Sequence, residues 1–139
     1  MSFVLNEASL SKLAGVHPQL VAVVIRATAL SSLKFIVTEG VRSRERQRKL
    51  VAMGASKTMN SKHLTQPDGY AHAVDLAAWL DLDEDESVDG GEIRWDWPLY
   101  AKIATAMKAA AGELRTPIEW GGDWRRFKDG PHFQLSEPV

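Results

Sequence analysis

Two stretches of this chain hold residue types that can do chemistry together. The first, "SKHLTQPDGYAHAVDL" over 61–76, places His63, His72 and Asp75 in a run that turns apolar at its end. The second, "FKDGPHFQL" over 127–135, places Asp129 and His132 in a D-x-P-H arrangement whose Pro131 stiffens the link between them. There is no cysteine, so any metal held here must be bound through nitrogen and oxygen. Two histidines and a carboxylate from separate segments suit a hydrolytic Zn²⁺ centre, which keeps one position open for water, and a further carboxylate nearby can act as base. Asp75 alone also has a plainer explanation. Between Val74 and Leu76 an unpaired carboxylate is costly, and a structural salt bridge would satisfy it equally well.

Those side chains need elements to position them. "YAHAVDLAAWL", 70–80, alternates and then becomes apolar, as a strand passing under a core does. On a strand Asp75 shares a face with Ala71 and Ala73 while His72 and Val74 face away, which leaves His72 outside the ligand set. "KFIVTEG", 34–40, reads as a second strand, and "TPIEWGG" and "GPHFQL" as two short ones separated by the turn "DWRRFKD". Apolar residues at helical spacing predict a helix over 18–31, with Leu20, Val23, Val24, Ala27 and Leu30 in the stripe. A second helix follows Ser43, which can cap "RERQRKLVAMG", and Gly54 can end it. "WPLYAKIATAMKAAAGEL" forms a third, with Pro98 in its first turn and Gly112 near its end. His17, just before Pro18, reads as a cap or packing residue, and the tryptophans at 79, 95, 97, 120 and 124 as core, with Trp120 and Trp124 near enough to border a cleft. Together these elements predict one α+β domain over 1–139, a small, mainly antiparallel sheet packed with about three main helices.

Composition narrows the function. The chain has 139 residues, 45% of them hydrophobic, with a net charge of −1, which disfavours a nucleic-acid or anionic-membrane footprint. The basic run "VRSRERQRK" spreads its cations around barely more than two helical turns, as a solvated face does. "MSFVLNEASLSKLAGVHPQL" lacks the basic-then-apolar pattern of a secretory signal, and no apolar run has the roughly 20 residues of a membrane helix. The expectation is a protein made without a signal peptide in the cytoplasm.

The same residues carry a family resemblance. "SKHLTQPDGYAHAVDL" resembles the S-x-H-x-x-G-x-A-x-D signature of the zinc peptidases that include D,D-carboxypeptidases, D-Ala-D-Ala dipeptidases and phage L-alanyl-D-glutamate endopeptidases, and "EGVRSRERQ" and "IEWGGDWRRFKDGPHFQL" resemble the flanking motifs of the last branch. The likeness runs from about residue 8 to about 135 and implies a hedgehog/D,D-peptidase-like fold. Carried over position by position, it implies His63, Asp75 and His132 as Zn²⁺ ligands, Asp129 as general base, Ser61 as an orienting hydrogen-bond partner, Arg42 as the contact to a substrate carboxylate, and Gln47 in the same pocket. Two departures stand out. Eleven residues separate His63 from Asp75, more than the signature holds, so "QPDGY" reads as a surface excursion, and Ala71 replaces the signature glycine. Glu119 is a competing base, but it lies too far ahead of His132 for the short motif that related carboxypeptidases use.

One acidic run remains. In "DLDEDESVDGGE", residues Asp81, Asp83, Asp85, Ser87, Asp89 and Glu92 occupy the ligand positions of a twelve-residue Ca²⁺ loop, although Glu86 stands where the sharp turn calls for glycine. A solvated acidic loop is the simpler reading, with weak Ca²⁺ binding as the second. The resemblance as a whole implies a monomeric peptidoglycan hydrolase, an endolysin that cuts the L-Ala–D-Glu bond of the stem peptide in the periplasm after release. The alternatives are a D,D-carboxypeptidase acting on terminal D-Ala and a non-catalytic, zinc-stabilised wall-binding domain.

Overall fold

The computed structural model describes residues 3–56, 58–81, 91–94 and 96–136. In chain order the elements are α1 (Glu7–Lys12), α2 (Pro18–Leu30), β1 (Phe35–Glu39), α3 (Arg44–Ala52), β2 (Ala73–Asp81), β3 (Gly91–Arg94), α4 (Trp97–Leu114), β4 (Ile118–Trp120) and β5 (His132–Leu135). The α+β expectation holds, and every pairing between these strands is antiparallel. Two elements depart from the sequence expectation. α1 was not anticipated: it is a short helix whose Asn6 cap accepts a 2.8 Å hydrogen bond from the Ser9 amide. Residues 91–94, expected within a loop, form β3, because they pair with 78–81 of β2 and so satisfy backbone groups that an isolated reading of the segment cannot match.

The sheet order is β1-β2-β5-β4, with β3 beside the far half of β2. Period-two alternation divides β2 between its faces. Val74, Leu76 and Ala78 enter the main core with Phe35, Val37 and Phe133, where α2 contributes Leu20, Val23, Val24 and Ala27 and α4 contributes Ile103, Met107 and Ala110. Ala77 and Trp79 join Ile36 in a small cluster on the opposite face. Asp75 has the same parity as Ala77, so it too points away from the helices.

Helices α2 and α3 start as their sequences require. His17 Nδ1 accepts from the Gln19 amide at 3.1 Å with Pro18 following, and Ser43 Oγ accepts from the Arg46 amide at 3.0 Å. α4 ends at Leu114, shortly after Gly112, with Arg115 as its cap in the left-handed region at φ 54°. The tryptophans are less buried than their size suggests: Trp79 is 5% exposed, whereas Trp97 is 48% exposed and Trp120 and Trp124 are half-buried; Trp95 lies outside the described residues. Among the described residues no helix is long and apolar enough to cross a membrane.

Register, not proximity in sequence, builds the site. Cα partners across β2 and β5 include Asp75 with His132, and across β1 and β2 include Glu39 with Asp75. The second pairing depends on a bulge: Val37 pairs with Leu76 but Glu39 with Asp75, so Thr38 is skipped. Without that extra residue Glu39 would share the core-facing side of Phe35 and Val37; the bulge turns it onto the face of Asp75. α1 braces this edge, since Ser9 Oγ accepts from the Val37 amide at 2.9 Å. Immediately after β1, the end of α1 presses on Gly40 so closely that a Cβ there would collide with the Lys12 carbonyl.

Two glycine substitutions should therefore move stability in opposite directions. Gly40→Ala forces α1 away from β1 and is expected to lower unfolding free energy by roughly 1–3 kcal/mol. Gly112→Ala, in helix α4 with no neighbour within 4 Å of the added carbon, is expected to raise it by roughly 0.5–1 kcal/mol. Urea unfolding midpoints of both variants check the pair.

Candidate metal centre and cleft

His63, Asp75 and His132 meet on the face of the sheet opposite α2 and α4. Their candidate ligand atoms all lie within 4.8 Å of one another. His63 Nε2 is 3.1 Å and His132 Nδ1 3.4 Å from the same Asp75 oxygen, Oδ1. Both rings are almost wholly buried, His63 at 1% and His132 at 6% exposure.

The outer nitrogen of each ring decides what the inner one can do. His63 Nδ1 lies 2.8 Å from the Gly40 carbonyl, which can only accept, so Nδ1 carries the proton and Nε2 turns a lone pair toward Asp75. His132 repeats the pattern with the opposite tautomer: Nε2 donates to the Gln134 side-chain oxygen at 2.8 Å, leaving the Nδ1 lone pair inward. Two imidazole lone pairs and a carboxylate facing one another repel unless a cation lies among them, either a proton or a metal ion. This donor set, with each histidine oriented by its own acceptor, fits a divalent metal. Gln134 was not anticipated as part of the site, although the alternation of "HFQL" already places it on the His132 face.

His63 is fixed by its backbone as well as its ring. Ser61 Oγ accepts from the His63 amide at 3.1 Å, and the His63 carbonyl accepts from the Arg42 amide at 2.8 Å. The inserted segment after it behaves as a surface excursion: Thr65 and Ala71 form a bridge, the Gly69 amide closes on the Gln66 carbonyl at 2.9 Å, and Pro67 through Tyr70 are exposed. His72 turns away to Asp68, 2.7 Å off, and packs edge-on against His17, outside the centre as alternation required.

The D-x-P-H turn is pinned with equal care. The Asp129 amide donates to the Gly121 carbonyl at 3.0 Å, the Asp129 carbonyl accepts from the His132 amide at 3.2 Å, and Trp120 Nε1 donates to the Gly130 carbonyl at 2.7 Å. Gly121 cannot carry a side chain because a Cβ would strike Asp129. Asp129 lines the same cleft as the three ligands, an opening of about 540 Å³. Glu119 is exposed and does not line it.

Charge is distributed unevenly among the carboxylates. Burial raises the Asp75 pKa, but hydrogen bonds from His132 and His63, made when their inward nitrogens also carry a proton, outweigh that, and the net shift is well below the usual carboxylate range. Asp129 moves the other way, raised by burial and then by the negative charge of Asp75, with the imidazoles and Arg42 only partly offsetting it. Two carboxyls in one cleft are thus driven apart, one held as an anion and one made more basic.

Arg42, expected to meet a substrate carboxylate, lines the cleft with its guanidinium already engaged. Its Nε and Nη2 donate to the two carboxylate oxygens of Glu39 at 2.7 and 2.8 Å, and its Nη1 donates to Gln47 at 2.8 Å. Nη2 is also 3.7 Å from Asp75 Oδ2. Gln47, expected to line the pocket, has no exposed surface and instead ties Arg42 to Ser56 and Thr58. Glu39 was missed because only the bulge brings it here. Of the six acidic-loop positions, Asp83, Asp85, Ser87 and Asp89 lie outside the described residues, and Asp81 and Glu92 are placed only as backbone, in β2 and β3.

The metal-free protein should show the cost of this arrangement in its pH dependence. His132 has a folded-state pKa raised above 6.5: burial lowers it, and the Asp75 hydrogen bond and charge more than compensate. Its contribution to stability is therefore complete below the ordinary histidine value and is lost as pH rises through the raised one. Urea unfolding in chelator, from about pH 5 to about pH 9, should show stability falling with pH, and Asp75→Asn should flatten that slope.

The family model described as "Phage L-alanyl-D-glutamate peptidase" matches residues 1–135. The chain is 31% identical over 106 residues to the L-alanyl-D-glutamate peptidase of Listeria phage A118, covering 76% of this chain and 32% of that protein. It is 29% identical over 133 residues to the L-alanyl-D-glutamate peptidase of Escherichia phage T5, covering 93% and 87%. The Bacillus subtilis peptidoglycan L-alanyl-D-glutamate endopeptidase CwlK is 30% identical over 121 residues, and the chain spans 65% of its length. Among solved structures, the Serratia marcescens L-Ala D-Glu endopeptidase ChiX superposes with a TM-score of 0.78 at 43% identity, over 96% of this chain and 90% of that one. With a cleft whose ligand set and turn match the motifs in the sequence, and a family match across nearly its whole length, the chain belongs to the phage L-alanyl-D-glutamate peptidase family.

Proposed function

We propose that this chain is a zinc endopeptidase that hydrolyses the L-Ala–D-Glu bond of the peptidoglycan stem peptide, working as a single chain on the wall in the periplasm. The observation that carries the reading is the inward convergence of His63 Nε2, His132 Nδ1 and Asp75 Oδ1 in an open cleft beside a carboxyl of raised pKa. The site lies wholly within one chain. Zn²⁺ held by these three groups supplies Lewis acidity toward the scissile carbonyl and toward water.

The chain's own residues do the rest. Asp129, raised by burial and by Asp75, takes a proton from the attacking water and delivers it to the leaving amine. The Gly40 carbonyl and Gln134 hold the two imidazoles in the tautomers that turn lone pairs inward. Arg42, bound to Glu39 and close to Asp75, balances the negative charge of the cleft and is held in turn by buried Gln47. Ser61 sets the backbone of His63.

Digestion of purified peptidoglycan tests the bond. New D-glutamate amino termini are expected; release of free D-alanine without them would point to the D,D-carboxypeptidase instead. Chelator should abolish cleavage and Zn²⁺ restore it. Asp129→Asn is expected to retain metal while losing roughly 10²- to 10⁴-fold in kcat; full activity in that variant would remove Asp129 as the base. A zinc-loaded wild type that binds wall but never cuts it would favour the binding-domain alternative.

A further inference from the structure

We infer that Arg126 binds the free carboxylate of the substrate's D-glutamate and sets the preference for that residue; this rests on the endopeptidase reading above. Most cations of the cleft are already engaged. Arg42 is 9% exposed and spends Nε, Nη1 and Nη2 on Glu39 and Gln47. Arg46 lies 3.6 Å from the same Glu39 carboxylate. Lys62 is likewise engaged. Arg126 lines the cleft, is exposed, and has no hydrogen-bond or ion-pair partner among the described residues. Its neighbour Arg125 is exposed as well but does not line the cleft.

Its position in the turn says which part of the substrate it meets. Arg126 is three residues ahead of Asp129, on the same segment of cleft wall. Between them Phe127 holds φ 54°, a left-handed conformation that is costly for a bulky residue and persists where the surrounding turn imposes it. The spacing of Arg126 from Asp129 is thus set by a constrained bend. Asp129 delivers its proton to the leaving amine, and in an L-Ala–D-Glu bond that amine belongs to D-glutamate. Glutamate has two carboxyls and a continuing peptide uses one, so a free carboxylate lies on the Asp129 side of the scissile bond. A planar guanidinium with unspent paired donors is the group suited to it.

The experiment compares two synthetic peptides containing L-Ala–D-Glu, identical except that one has the free carboxylate as a carboxamide. Wild type is expected to favour the acid by roughly ten- to a hundredfold in kcat/KM, the range for a hydrogen-bonded charge. Arg126→Gln should bring the acid down to the rate of the amide and leave the amide rate unchanged. Arg126→Lys should keep part of the preference, and Arg125→Gln all of it. Metal content and unfolding midpoint should be those of wild type in each variant. The assignment is overturned if wild type shows no preference, if Arg126→Gln keeps it, or if that variant slows both peptides equally. Cleavage of neither peptide by zinc-loaded wild type would instead defeat the endopeptidase reading itself, and the assignment with it.

Discussion

A single carboxylate oxygen, Asp75 Oδ1, facing two buried imidazoles is the constraint around which this fold is arranged. A carboxylate taken out of water must be compensated by nearby positive charge or hydrogen-bond donors. Here Arg42 approaches from the turn after β1, and His63 from the long loop before β2 and His132 from β5 add compensation once a proton or a metal ion lies between their inward nitrogens and Asp75. None of these partners is local in sequence. The antiparallel sheet supplies the one geometry in which all three approach one side chain.

The same constraint explains several features that look incidental when taken singly. The bulge in β1 exists at the level of Asp75 and delivers Glu39 to neutralise Arg42. Buried Gln47 spends its amide on holding that guanidinium and the Ser56–Thr58 segment. Gly40 lets α1 lie against the strand end and presents the carbonyl that orients His63. Gly121 lets the backbone of Asp129 approach, so Asp129 is placed by main-chain contacts. Each is a small local concession whose effect is felt in the cleft around Asp75.

Electrostatics then separates the two acidic groups of the cleft. Asp75 is held anionic by its imidazoles, and its charge is part of what raises Asp129. Asp75 and Asp129 are therefore not independent residues, because the charge of the first raises the pKa of the second. The cationic side of the cleft is divided in a comparable way between arginines engaged with Glu39 and Arg126, which lines the cleft without a partner among the described residues.

Much of this was legible in the chain itself. Helices α2, α3 and α4 follow from apolar spacing and their caps, and period two placed Asp75 on the face opposite Val74 and left His72 out. The insertion before β2 reads as a turn because Pro67, Asp68 and Gly69 cluster there. These are local properties, set by dihedral preference and by which side of an element a side chain occupies. What only the tertiary structure decided is register: the bulge that brings in Glu39, the ion pair Arg42 makes with it, the burial of Gln47 behind that pair, and the pairing that makes β3 a strand. Those depend on partners tens of residues away, and a hydrogen bond between distant segments leaves no period in either of them to be read.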